Sequence, residues 1–260
     1  MRIAAVVLNY ETFEETEACV ESLLLQSYPD VEIVVVDNGS ANDSAKRLTE
    51  RFAGEERVRV LACGVNLGFA RGNNVGIRHA REQLGCDCVF VVNNDVVVDR
   101  DVLAQVAAAA EGDVGAGIGV ASPTVVRPDG TEEQILYDPL RTFERLLTGR
   151  VAGAERGRGY PLHGCAFFLM PAFFRFYGQL YPMTFLYWEE SNLIRYLKRA
   201  KLRSVRIETA PVVHKRAQTT RALFGEGKYR LRRWRHILRS MAASVPLWFL
   251  SAERIRERYG

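Results

Sequence analysis

The chain has 260 residues, is 48% hydrophobic and carries a net charge of +4. This is enough apolar material for a sizeable core, and no low-complexity linker or internal repeat divides it. The five cysteines (Cys19, Cys63, Cys86, Cys88 and Cys165) are odd in number and lack zinc-ligand spacing, which excludes a zinc framework and suits buried, reduced thiols. No apolar run is long enough to span a bilayer, and no signal-peptide pattern opens the chain, so the expected location is cytoplasmic.

The first half alternates strand and helix signals. Ile3 to Leu8 is an unbroken apolar run, the pattern of a strand buried on both faces. Thr12 and Glu15 read as a capping box, and the helix they open ends near Tyr28-Pro29. Glu32 to Asp37 is a second buried strand, followed by an Asn38-Gly39-Ser40 turn and a helix over about Ala41 to Phe52. Val58 to Ala62, Phe69 to Leu84 and Val89 to Val92 supply a strand, a helix and a strand. Such a series predicts an α/β fold with a mostly parallel central sheet flanked by helices.

The second half is less regular. Val120 to Val126 and Arg203 to Glu208 read as strands, Glu189 to Lys201 as a helix, and Arg127 to Tyr160 as loop with short helices. A helix from about Lys228 to Ser244 has Leu231, Trp234, Leu238 and Met241 on one face. The expected organisation is a main domain over residues 1–220 and a basic, amphipathic helical extension over residues 221–260.

In open α/β sheets, ligands bind beyond the carboxyl ends of the strands. Three strands here end in polar residues: Asn9-Tyr10, Asp37-Asn38-Gly39-Ser40 and Asn93-Asn94-Asp95. Each alone is an ordinary turn, but three at one edge make a candidate site. A carboxylate at Asp37 can accept hydrogen bonds from a nucleobase or ribose. Asp95, with Asn93 as a weaker oxygen donor, suits a hard divalent cation on a diphosphate; capping the next helix falls more naturally to Asp99 or Asp101. The run Asn66-Leu67-Gly68-Phe69-Ala70-Arg71-Gly72-Asn73-Asn74 combines glycines, a helix start and an arginine, all suited to an anion or to a simple turn. Glu189 and Glu190 stand at a helix start, where the dipole favours acids; one of them is also the natural general base for an acceptor hydroxyl. His214, after an apolar run, is either structural or a metal ligand.

These motifs occur in the order seen in family 2 glycosyltransferases, and the sequence particularly resembles the rhamnosyltransferase-like branch over about Met1 to Thr220. The resemblance implies a GT-A fold and inverting transfer of one sugar from a UDP- or dTDP-sugar to a glycan or lipid-linked acceptor. It implies that Asp37 binds base or ribose, and that Asn9, Tyr10, Asn66, Gly68, Arg71, Asn73 and Asn94 belong to the donor site. Asp95, as the last acid of a DXD-like motif, would hold Mg²⁺ or Mn²⁺, with His214 as the second contact. Glu190 matches the family's base, with Glu189 beside it, and His163-Gly164-Cys165-Ala166 resembles the segment facing sugar and acceptor. Three positions depart from the pattern: Asn93 opens the DXD-like motif, the base is Glu rather than Asp, and Asn192 replaces an acid. The processive members' Gln-x-x-Arg-Trp motif is incomplete, since Arg230 stands in the Gln place before Arg233-Trp234. Two other readings fit parts of the pattern: a non-catalytic nucleotide-sugar-binding subunit, and a nucleotidyltransferase, although the latter's Gly-rich basic loop is replaced by Asn9-Tyr10-Glu11-Thr12.

From Lys198 onward the chain is crowded with Lys and Arg. Lys228, Arg230, Arg232, Arg233, Arg235 and Arg239 surround the last apolar stripe, and Trp248-Phe249 follow. The expected partner is an anionic membrane surface at the cytoplasmic face, with packing on the domain as the plainer alternative; about 1 kcal/mol per basic residue would make six count. No motif of a nucleic-acid-binding fold accompanies this charge, and no nucleic acid is expected.

Overall fold

The computed structural model describes residues 1–111, 117–133, 162–215 and 226–260, with side chains in the last stretch from Trp234 onward. The loop-like reading of Arg127 to Tyr160 lies mostly outside these residues. In chain order the elements are β1 (Ile3–Asn9), α1 (Phe13–Leu24), β2 (Val31–Asp37), α2 (Ser44–Arg51), β3 (Val58–Ala62), α3 (Phe69–Arg78), β4 (Cys88–Asn93), β5 (Val96–Val98) and α4 (Val102–Glu111). There follow β6 (Ile118–Ser122), β7 (Val125–Val126), β8 (Ala166–Leu169), the single turn α5 (Pro171–Phe174), α6 (Glu189–Ala200), β9 (Arg203–Arg206), β10 (Val212–His214), α7 (Glu226–Ser244) and α8 (Ala252–Tyr259).

The main sheet has seven strands in the order β3-β2-β1-β4-β8-β6-β9, and only β8 runs against its neighbours. The unbroken apolar runs explain this burial: Ile3, Ala4, Ala5, Val6 and Val7 have no exposed surface. Alternate residues go to opposite faces. Ile3, Ala5 and Val7 meet residues of α1 and α4; Ala4 and Val6 meet residues of α3 and α6. Phe90 and Phe168, paired across β4 and β8, stack with centroids 4.1 Å apart. Burying a ring of that size contributes about 2–3 kcal/mol. The parallel register sets Asn9 opposite Asp37 and Leu8 opposite Asn93, so the polar strand ends share one rim.

A second, three-stranded sheet, β5-β10-β7, stands beside that rim. Val120 to Val126, expected as one strand, is broken after Ser122, and Val125–Val126 pairs with β10 in this second sheet. Other differences are local. The capping box does not form, because Thr12 makes no side-chain cap; its hydroxyl instead accepts from Asn94 Nδ2 at 2.5 Å. The helix expected from Ala41 begins at Ser44, and that from Phe69 passes into a π-turn over His79–Gln83. The strand expected to reach Glu208 ends at Arg206, and the last long helix starts two residues early, at Glu226.

The end of the chain is fastened to the sheet's helical layer. The Tyr181 hydroxyl donates to the Ala243 carbonyl at 2.6 Å and Ser240 Oγ to that of Leu186 at 3.0 Å. Leu247, Ile255 and Tyr259 belong to the same core cluster as Val6 and Tyr196. Among the described residues no helix is long and apolar enough to cross a membrane.

Candidate active site

Four polar loops converge at the carboxyl rim of the sheet. A chain of hydrogen bonds joins the first two strand ends. Asn9 Nδ2 donates to Asp37 Oδ2 at 2.7 Å, and Asn9 Oδ1 accepts from the Thr16 hydroxyl at 2.8 Å. Asn94 Nδ2 then donates to Thr16 Oγ1 at 2.9 Å, so one network runs from Asp37 to the residue beside Asp95. Asp37 is 2% exposed, and its oxygens also accept from the amide and hydroxyl of Ser40. The side chains of Asp37, Asn9 and Asn94 therefore build the rim as well as bordering it.

The Asn66–Asn74 run lies against this network. Asn38 Oδ1 accepts from the Leu67 amide, its Nδ2 donates to Asn66 Oδ1, and Asn66 Oδ1 also takes the Gly68 amide. Gly68 has φ +82 and ψ 180, a conformation other residues rarely adopt, and opens α3. The Phe69 amide donates to the Phe185 carbonyl at 2.7 Å, which fastens this loop to the segment leading into the acids. Arg71 and Tyr10 are exposed at the rim. Asn73 is buried inside α3, where its Nδ2 returns to the Phe69 carbonyl. Asn74 holds both the amide and the carbonyl of Leu180. The structure thus places Asn73 and Asn74 beneath the surface rather than on it.

The third element is the Asp95–His214 pair. Asp95 immediately precedes β5 and His214 ends β10, its antiparallel neighbour, and Asp95 Oδ2 lies 3.4 Å from His214 Nε2. The other ring nitrogen, Nδ1, lies 2.8 Å from Glu133 Oε2. Burial opposes a charged ring, but hydrogen bonds to Asp95 and the Cys165 thiol prevail and push the His214 pKa up to about 11. The carboxylates on either side thus hold a proton on the ring in the metal-free chain, and that proton must leave before His214 can coordinate a metal. No group of three or more His, Cys, Asp or Glu among the described residues is arranged as a metal cage. One carboxylate and one imidazole nonetheless fit a divalent ion whose other ligands are diphosphate oxygens and water. Asn93, at the end of β4, is partly exposed beside this pair, and its amide donates to the Cys165 carbonyl.

The fourth element carries the acids. Tyr187 and Trp188 both have positive φ, 68° and 82°, immediately before Glu189. Two bulky left-handed residues in succession store strain, of order 1–3 kcal/mol each. Glu190 Oε1 lies over Gly164 so closely that a Cβ there would sit 2.0 Å from it. Gly164 precedes Cys165, whose thiol bonds His214, so the acid and the Asp95–His214 pair are neighbours through two residues. Glu189 faces inward: its Oε1 is shielded from water, and burial, then the Glu190 charge, push its pKa up to about 8. Glu133 and the strained Tyr187-Trp188 turn escaped the sequence reading. Nothing local marks Glu133, which meets His214 across 81 residues.

The fold agrees with comparisons to known proteins. Residues 4–171 match the model of "Glycosyl transferase family 2". The chain belongs to that family. It is 23% identical over 217 residues to the low-salt glycan biosynthesis hexosyltransferase Agl10 of Haloferax volcanii, a match covering 81% of this chain and 65% of that protein. It is 25% identical over 247 residues to the N-acetylglucosaminyl-diphospho-decaprenol L-rhamnosyltransferase of Mycobacterium tuberculosis, covering 84% of this chain and 77% of that one. Among solved structures it resembles the mannosyltransferase PcManGT of Pyrobaculum calidifontis, in complex with GDP-Man and Mn²⁺, with a TM-score of 0.63 and 19% identity, covering 94% of this chain and 64% of that one. The family member's fold is GT-A, and the chain spans about two thirds of the length of the Haloferax and Pyrobaculum relatives.

Proposed function

We propose that this family 2 chain is an inverting glycosyltransferase that moves one sugar from a dTDP- or UDP-type nucleotide-diphospho-sugar to a hydroxyl of a glycan or lipid-linked acceptor. The observation that supports this most directly is the adjacency of Glu190 to the Asp95–His214 pair through Gly164 and Cys165. A base and a cation site so close suit a reaction in which a hydroxyl attacks beside a departing diphosphate. On this reading Tyr10, Asn66 and Arg71 face the nucleotide and phosphates, Asp37 and Gly68 border them, and buried Asn9 holds the Asp37 carboxylate in place. Asn73 and Asn94 act indirectly, by bracing the Phe69 turn and Thr16.

Asp95 and His214, with Asn93 alongside, would hold Mg²⁺ or Mn²⁺. A bound cation supplies neutralisation of the leaving diphosphate. Glu190 takes the acceptor's proton as its oxygen attacks the anomeric carbon and the bond to phosphate breaks. Glu189, largely protonated at neutral pH, leaves that role to its neighbour.

The test combines donor binding with turnover. Thermal shift across UDP-, dTDP- and GDP-sugars, with and without Mn²⁺, is expected to single out one donor, because a bound ligand raises stability with its concentration over Kd. Glu190→Gln is expected to keep donor binding and lose transfer. Undiminished turnover in that variant refutes the base assignment.

A further inference from the structure

The apolar stripe of α7 faces outward. Trp234, Leu238 and Met241 recur at helical spacing, and Val245 continues the stripe into the next turn. All four are exposed, Leu238 by 59%. The stripe ends at Trp248 and Phe249, the latter 83% exposed. The opposite side of the helix is occupied: Ser240 bonds the Leu186 carbonyl, His236 stacks on Phe185, and Ser244 is buried. An amphipathic helix would ordinarily turn its apolar side inward. This one presents that side to the surroundings.

The charge around the stripe is of one sign. Arg235 and Arg239 are exposed beside it, and the same helix carries Lys228, Arg230, Arg232 and Arg233. No Asp or Glu occurs between Gly227 and Ala252. A second copy of the chain is a poor occupant, since pairing two such helices would juxtapose like charges at close range. A nucleic acid would meet the arginines but leave the aliphatic and aromatic side chains unmatched. Aromatic and aliphatic side chains on one face with cations along the border match the boundary between headgroups and acyl chains.

We infer that the face formed by Trp234, Leu238, Met241, Val245, Trp248 and Phe249 docks on an anionic lipid bilayer, with Arg235 and Arg239 on its headgroups. The same helix grips Phe185 and Leu186, and the Phe185 carbonyl holds the Phe69 amide. The docked face is thus tied to the turn that leads into Glu189 and Glu190. What the docking serves, delivery of a membrane-borne acceptor to Glu190, rests on the proposed function; the docking itself does not.

Tryptophan fluorescence provides the test. The chain has three tryptophans; Trp188 is buried, and Trp234 and Trp248 lie on the face. The full chain is mixed with vesicles of phosphatidylcholine alone or with added phosphatidylglycerol, both also made with brominated acyl chains. The expected result is binding to the anionic vesicles that weakens with salt, with emission quenched by the brominated lipid. Trp234→Phe/Trp248→Phe is expected to remove the quenching while binding persists. Leu238→Glu/Phe249→Glu is expected to lower partitioning at least about tenfold. Folding of that variant is checked by its thermal unfolding and its donor-induced thermal shift, which are expected to be unchanged.

Absence of binding at low salt, or binding that survives Leu238→Glu/Phe249→Glu undiminished, overturns the inference. So does a concentration-dependent dimer in sedimentation velocity that the same double variant abolishes. Vesicle binding in a chain that takes up no nucleotide-sugar would leave the docking face standing and remove the enzymatic reading.

Discussion

Glu133 holds the Nδ1 atom of His214 at 2.8 Å while the far side of the same ring faces Asp95 at 3.4 Å. A carboxylate behind an imidazole fixes both its orientation and which nitrogen is offered forward. Glu133→Gln is therefore expected to weaken Mn²⁺ binding, by about tenfold to a hundredfold, without touching the ion itself. Electron paramagnetic resonance titration of free Mn²⁺ checks this, with Asp95→Ala as the reference. Equal affinity in the wild type and Glu133→Gln would show that His214 needs no support from behind; loss of the Asp95→Ala effect would remove the cation site altogether.

Gly164 is the floor under the Glu190 carboxylate. A methyl group added there would lie 2.0 Å from Oε1, so the acid must move. A displacement of about 1 Å in a reacting group costs on the order of a hundredfold in rate. Gly164→Ala is expected to reduce kcat by that much while the donor Kd changes little. Steady-state kinetics together with donor calorimetry separate the two quantities, and a variant with wild-type kcat would place the base elsewhere.

Glu189 makes stability depend on pH. Its folded pKa, about 8, lies above the ordinary value of 4.5, so the folded chain holds a proton that the unfolded chain has released. The resulting stabilisation is fully present below pH 4.5 and is lost as pH rises through about 8. The full effect is at most about 5 kcal/mol, and less because the residue keeps partial contact with water. Glu189→Gln cannot ionise, so its melting temperature relative to wild type is expected to rise steadily between pH 5 and 9. A constant difference across that range would mean that the group does not titrate there.

Gly68 meets two constraints at once. Its backbone is left-handed, and a Cβ would approach the Phe185 carbonyl oxygen to 2.3 Å. Gly68→Ala is expected to destabilise the fold by about 2–4 kcal/mol, combining backbone strain with the broken contact. Urea unfolding measures the loss, and amide exchange at Phe69 reports whether its bond to Phe185 survives.

The central strands were readable because each is a short apolar run ending in Asn or Asp. Ile3 to Leu8 and Val89 to Val92 carry both their burial and their endpoint in the local sequence. The second sheet was not readable for the opposite reason. Its strands have three, three and two residues, too short for any period to show, and β10 is paired by residues more than 80 positions away. Thr12 and Glu15 satisfy a local capping rule, but Asn94, distant in sequence, takes the Thr12 hydroxyl. The chemistry-bearing residues at strand ends were visible as types. What bound them to one another, such as Asn9 between Asp37 and Thr16, depends on strand register and appears only in the folded chain.

The rim is assembled from two stretches of chain with separate duties. Asn9 to Asp95 comes from consecutive crossovers on the parallel side of the sheet, whereas Glu133, Gly164, Glu190 and His214 return to it from the irregular half. If the proposed roles hold, substitutions after the first hundred residues can alter which hydroxyl is accepted while leaving nucleotide choice intact. Selectivity for the two substrates is then inherited in separable pieces, and a chimera joined within α4 is the natural way to trade one without the other.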